Sequence, residues 1–155
     1  FDTPSYFDDI PMYHKIIHET DMANNFEAYY KKYKKKLSKE MISAIERGLK
    51  YSAKDYAEAI DFINRSYTSY KEVFEDYHGI LTPASTGVAS KGLGKTGSPE
   101  FSTVWTYMGL PAISLPLLIG ENNLPLGIQL IGDKYDDLRF LSTANWLEQN
   151  CKNND

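Results

Sequence analysis

The sequence predicts an α/β chain: N-terminal helices, then strands and helices that complete a larger mixed sheet covered by helices. Three observations predict it. Apolar residues recur at helical spacing through residues 1–77. From residue 78 onward, short apolar runs punctuated by Pro and Gly alternate with helical patterns. Only three strand-length runs occur, and three short strands make a poor independent sheet. Residues 1–155 therefore read as part of one domain, helical over 1–77 and α/β over 78–155. Strands that alternate with helices predict parallel-type pairing with both sheet faces covered.

The elements follow in order. Asp8 or Asp9 caps a first helix with Pro11 near its start, and Met12, Ile16, Ile17, Met22, Phe26 and Tyr30 form its apolar line. Ser38 is an N-cap for a short second helix, with Ile42, Ile45 and Leu49 on one face and Gly48 expected to weaken or end it. Ser52 with Asp55 gives an acidic capping box opening a long helix striped by Tyr56, Ala59, Ile60, Ile63, Tyr67, Tyr70 and Phe74. Ile80-Leu81-Thr82 is a strand stopped by Pro83. Ser98 caps a helix with Pro99 at its first position and a buried face of Phe101, Val104, Trp105 and Met108. Gly109 ends it. Ala112–Leu115 is a strand whose pairing Pro116 limits. Asn122-Asn123 marks a turn, and Leu126–Ile131 is the strongest strand. Asp136 or Asp137 caps a last helix packed by Leu138, Leu141, Ala144 and Leu147.

Composition narrows the functional classes. The chain has 155 residues, 42% hydrophobic and 14% aromatic, enough for a real core and too apolar for a disordered chain. A formal net charge of −4 gives no reason to expect a nucleic-acid partner. The single Cys151 excludes an internal disulfide and fits a reducing compartment, so the expected location is cytoplasmic. No apolar run approaches the ~20 residues that span a membrane. The sequence begins Phe1-Asp2-Thr3-Pro4, without an initiator methionine.

Five motifs point to chemistry. Ala89–Thr96 (ASKGLGKT) matches a relaxed P-loop, in which backbone N–H groups, Lys95 and Thr96 would hold phosphate and magnesium. That motif needs a helix starting at its Gly-Lys pair, whereas the helix signal starts at Ser98. Gly92–Gly97 also fits G-x-G-x-x-G, with Glu121 at about the distance of a ribose contact, but the preceding strand ends far upstream at Pro83. His14 and His18 stand at a zinc-chelating spacing, with no third ligand indicated and Lys15 where a zincin needs Glu. Lys31, Lys32, Lys34, Lys35, Lys36 and Lys39 form a basic run, read as a solvated helix end that suits the C-terminal dipole. Ser90-Lys91 and Lys95 with Ser98 are the close Ser/Lys pairs of this loop.

The order of parts from Tyr77 onward resembles the C-terminal end of the amidase signature family. The resemblance rests on Thr82-Pro83, Thr96-Gly97-Ser98-Pro99, Trp105, Gly109-Leu110-Pro111-Ala112, Pro116 and the strand Leu124-Pro125-Leu126-Gly127-Ile128-Gln129-Leu130-Ile131-Gly132. It covers residues 77–148. It implies the amidase signature fold and hydrolysis of a carboxamide by a serine nucleophile, a bridging serine on a cis peptide, and a lysine. Those three lie in an earlier Gly/Ser-rich stretch, and no such stretch occurs in this sequence. The expectation is thus a piece starting mid-protein, with no catalytic residue in this chain and inactive alone. It implies one wall of a substrate pocket, built by the loop 84–98 with Thr96, Gly97, Phe101 and Trp105. The implied partners are the N-terminal catalytic part and a small-molecule amide. No cofactor, metal, nucleic acid or membrane is expected, and a homo-oligomer stays open. His78 stands where the family usually has Asp, and Ser98 where it often has an acidic residue. The Trp105 helix resembles general amidases more than the tRNA-dependent amidotransferase subunits. Two other classes stay open: a binding or assembly module using the tyrosine-rich helices, and a nucleotide binder using the glycine loop.

Overall fold

The computed structural model describes residues 5–92, 94 and 96–152. The chain divides into two compact units, Phe1–Arg65 and Ser66–Asp155. The division falls within the third helix.

In the first unit a 3-10 turn, Ser5–Asp9, leads into α1, Ile10–Tyr33. Asp9 occupies the N-cap position and Pro11 the first turn, but Asp9 makes no side-chain capping bond. Its φ of −83° and ψ of −19° are already helical, which turns the carboxylate away from the free N–H groups. The line buried by α1 is Ile10, Glu19 and Ala23. It is not the expected apolar line, of which Met12 is 52% exposed and Phe26 39% exposed. The cause is close backbone packing on α2, Lys39–Gly48. A Cβ at Gly48 would stand 2.0 Å from the Glu19 carbonyl oxygen, so small atoms meet there instead of large side chains. Ser38 caps α2 as expected, its hydroxyl accepting from the Met41 N–H at 3.1 Å.

The helix α3 runs Ala53–Asp76. Its capping box forms in both directions: Ser52 N–H donates to Asp55 Oδ2 at 2.8 Å, and Asp55 N–H donates to Ser52 Oγ at 3.1 Å. Ala59, Phe62, Ser66, Tyr70 and Phe74 are buried, whereas Ile60 is 40% exposed. The stripe therefore drifts round the helix relative to the expected one.

The second unit holds the sheet, ordered β1-β3-β2 from Ile80–Pro83, Pro125–Ile131 and Ala112–Ile119. Both pairings are antiparallel, which corrects the expected parallel pairing. The tight 3-10 turn Glu121–Asn123 folds β3 straight back on β2, and the helix α4 (Glu100–Met108) comes before this pair. Asn122 and Asn123 both take φ near +57°, as the expected turn requires. β2 runs past Pro116 to Ile119, but its register shifts between Leu115 and Leu118. Proline has no N–H to give the ladder, so the interruption falls where the sequence places it.

Opposite residues in an antiparallel pair share a face. Leu81, Leu130 and Ile113 thus share one face, and there Leu130 packs with Phe140, Ala144 and Leu147 of α5, Asp137–Lys152. Leu138 and Leu141, expected to pack α5 down, are 83% and 54% exposed. Phe140 takes their role, because the buried line of α5 runs along a different side of the helix. The other face carries Thr82, Gln129 and Ser114 in one row and receives the first turn of α4.

Candidate substrate-binding face

The row of Thr82, Gln129 and Ser114 is polar within strands that are otherwise apolar. Gln129 is 5% exposed, so its amide needs partners. Its Nε2 donates to the Phe101 carbonyl oxygen at 2.5 Å. That bond fixes the first turn of α4 over the row. Gly127 lies on the same face, where a Cβ would meet Ser114 Oγ at 2.6 Å and Ala84 Cβ at 3.1 Å. The loop leaving β1 uses this space, with Ala84 N–H donating to the Gly127 carbonyl at 3.0 Å. Val88 then fills the place a side chain at Gly120 would need.

The sequence-derived wall residues occupy different environments. Thr96 and Gly97 are exposed, and Gly97 takes a φ of +86° in open space. Phe101 is half-buried. Trp105 is 7% exposed and meets the Tyr70 ring edge-on at 5.7 Å. α4 begins at Glu100, with Pro99 at the N-cap position, one residue later than expected. Ser98 Oγ still accepts from the Glu100 N–H, at 3.3 Å. Gly109 closes the helix at a φ of +69°, and the Leu110 N–H reaches back to the Trp105 carbonyl at 3.0 Å.

The nucleotide readings lose their geometry here. A P-loop needs its helix to open at the Gly94-Lys95 pair, whereas the next helix opens at Glu100 and the preceding strand closes at Pro83. Lys95 lies outside the described residues. Ser90 and Lys91 are exposed loop residues. In the first unit His14 and His18 stack with ring centroids 5.8 Å apart. Burial, then the charge of His18, lowers the His14 pKa. No group of three potential metal ligands occurs among the described residues.

Gln129 stands outside the functional positions expected from sequence. A lone polar residue facing Thr82 and Ser114 within an apolar strand was the available signal. The Tyr67–Asp133 pair is a second position of this kind. The Tyr67 hydroxyl donates to Asp133 Oδ1 at 2.7 Å, and burial, then that bond, pushes its pKa to about 12. The Lys134 ammonium stands 4.3 Å from the Tyr67 ring centroid. A separate groove, about 460 Å³, is lined by His78, Arg139, Ser142, Thr143 and Trp146.

A family model described as Amidase matches residues 4–141 of the sequence, a span that includes β1, α4 and the β2–β3 pair. The chain belongs to the amidase family. Among curated relatives, a glutamyl-tRNA(Gln) amidotransferase subunit of Alkaliphilus metalliredigens is 38% identical over 101 residues, covering 61% of this chain and 21% of that protein. The chain thus spans about a fifth of the length of that relative. A solved structure described as an amidase superposes with a TM-score of 0.84 at 20% identity, covering 94% of this chain and 36% of the other. The corresponding glutamyl-tRNA(Gln) amidotransferase subunit of Thermotoga maritima superposes with a TM-score of 0.57 at 30% identity, over 71% of this chain and 25% of its own. The higher of these identities lie with the amidotransferase subunits. The 20% likeness to an amidase speaks for the fold, so the fold is that of the amidase signature enzymes.

Proposed function

We propose that this chain forms the C-terminal portion of an amidase that hydrolyses a carboxamide to a carboxylate and ammonia or an amine. Water replaces the departing nitrogen. In this reading the chain completes the sheet and supplies one wall of the acyl pocket, and the Ser-Ser-Lys machinery comes from an N-terminal catalytic part. The observation that carries it is the state of the sheet edges. Leu81 on β1 is 52% exposed, and Leu118 and Ile119 on β2 are 45% and 71% exposed. Such apolar side chains on open edges suit strands that continue into further sheet.

The wall consists of Thr96, Gly97 and Phe101, with Trp105 on the same helix packed against Tyr70. The Gln129 bond to the Phe101 carbonyl sets how far that ring projects. An apolar wall selects the acyl group by shape, and one methylene more or less changes discrimination by about 1–3 kcal/mol. Serine chemistry of this kind needs no cofactor or metal.

Ammonia release from simple aliphatic and aromatic carboxamides tests the reading. The chain alone is expected to be inactive, and co-expression with its upstream coding sequence is expected to give activity. In that pair, Phe101→Ala shifts kcat/KM between short and long acyl groups, and Gln129→Leu does so more weakly. Turnover by the chain alone would overturn the assignment of the nucleophile elsewhere.

A further inference from the structure

We propose that the end of α1 and the lysine turn after it, residues 26–39, bind single-stranded nucleic acid. In the sequence this basic run reads as a solvated helix end, because the net charge is negative and Tyr33 alone accompanies it. The first unit adds what that reading lacks. Phe26, Tyr29 and Tyr33 lie on one face of α1 at steps of three and four residues, with ring centroids 6.4 and 6.2 Å apart. They are 39%, 59% and 38% exposed. Beside them is a shallow depression of about 340 Å³ lined by Ala28, Tyr29, Lys32 and Tyr33.

The lysines surround this ladder in two roles. Lys31 pairs with Glu27 at 2.6 Å, and Lys34 with Glu46 at 2.7 Å, so both help to hold the helix end. Tyr30 is fixed in the same way, its hydroxyl donating to Glu46 Oε1 at 2.7 Å. Lys32, Lys35, Lys36 and Lys39 have no acidic partner among the described residues. Lys32 and Lys36 flank the Tyr33 ring at 5.2 and 5.4 Å from its centroid. No acidic residue occurs from Ala28 to Lys39. Beyond a Debye length of about 8–10 Å the net charge of the rest of the chain is screened, so this local surplus governs encounter with a polyanion.

A row of exposed aromatic rings among unpaired ammonium groups is the chemistry of single-strand binding. Bases stack on the rings while phosphates meet the lysines. A duplex keeps its bases stacked and cannot use the rings. A lipid surface calls for an aliphatic face opposite the lysines, which tyrosines interleaved with lysines do not give.

Fluorescence anisotropy of labelled oligo(rU) and oligo(dT), ~12 nucleotides long, tests the proposal, with a duplex of the same length and phosphatidylserine vesicles as comparators. Single strands are expected to bind, and the two oligomers report whether ribose matters. The affinity falls with KCl between about 50 and 200 mM at a log–log slope near −3, about −0.7 for each of four phosphate contacts. Lys32→Glu with Lys35→Glu and Lys36→Glu lowers affinity at least ~10-fold. Tyr29→Leu with Tyr33→Leu lowers it ~10-fold with the slope unchanged, as loss of base stacking requires. Circular dichroism and a melting curve confirm that each variant is folded. The proposal is overturned by absence of binding at low salt, by equal duplex binding that the tyrosine variant leaves intact, or by preference for the vesicles.

Discussion

The Glu19 side chain shows how one buried charge is kept in the first unit. The residue is 3% exposed in the middle of α1. Arg47 donates to Oε1 through Nε at 2.9 Å and Nη2 at 2.6 Å, and the Tyr51 hydroxyl donates to Oε2 at 3.2 Å. Burial by itself would raise the carboxyl pKa, but the Arg47 bonds and charge outweigh it and hold the group below its ordinary 4.5. A carboxyl depressed in the fold binds fewer protons there than in the unfolded chain. Its stabilisation is present above pH 4.5 and is lost as pH falls through the folded value. Arg47→Met removes the compensation and leaves a buried carboxylate, so the Glu19 pKa rises above its unfolded value. The Glu19 contribution reverses sign while Glu40, Glu46 and Asp55 stay depressed, so the expected result is a shallower rise of melting temperature with pH through the carboxylate range than in the unsubstituted chain. Melting curves from acid to neutral pH check it, and an unchanged slope in the variant would count against the pairing.

At the scale of elements, local signals in the sequence act where the physics is local. The Ser52–Asp55 capping box, the Ser38 cap, the Gly109 terminus and the Pro116 interruption all form as their chemistry requires. Burial lines fare worse, because they depend on what packs against the element. In α1 the contact with α2 is set by backbone approach at Gly48 and not by the large apolar residues. Gly48→Ala puts a methyl group into the Glu19 carbonyl, where backbone must shift. The expected cost is about 1–3 kcal/mol, in the range of overpacked cores. Urea denaturation measures it, and a neutral effect would mean that α1 and α2 slide apart freely. In α5 the same lesson applies, since Phe140 and not Leu138 meets Leu130.

At the scale of the whole molecule, the apolar surface that remains is the main observation. On the second unit Leu81, Leu118, Ile119, Leu138, Leu141 and Trp146 are all exposed. A single soluble chain seldom leaves so much large apolar side chain uncovered on a sheet and its helix. If an N-terminal amidase part covers it, the chain alone binds a hydrophobic dye such as anilinonaphthalene sulfonate, and co-expression with the upstream part abolishes that binding. Dye binding that persists in an active pair would show that these residues stay outside the assembly. Among the described residues, no helix is long and apolar enough to cross a membrane.

By itself the sequence determined the family, the Ser38 and Ser52 caps, the turns and the order of the elements, because each is written in short-range chemistry: a hydroxyl at a cap, a left-handed glycine, a proline without an N–H. It also placed the glycine loop too far from both strand and helix for nucleotide chemistry. The tertiary structure alone decided that the strands pair antiparallel, that Gln129 ties α4 to the sheet, and that Phe26, Tyr29 and Tyr33 line up among lysines. Those outcomes depend on which backbones approach closely and which side chains they leave in water. The order of residues carries at most their spacing, a lone Gln129 in an apolar strand or rings three and four residues apart on α1, and not their exposure or partners.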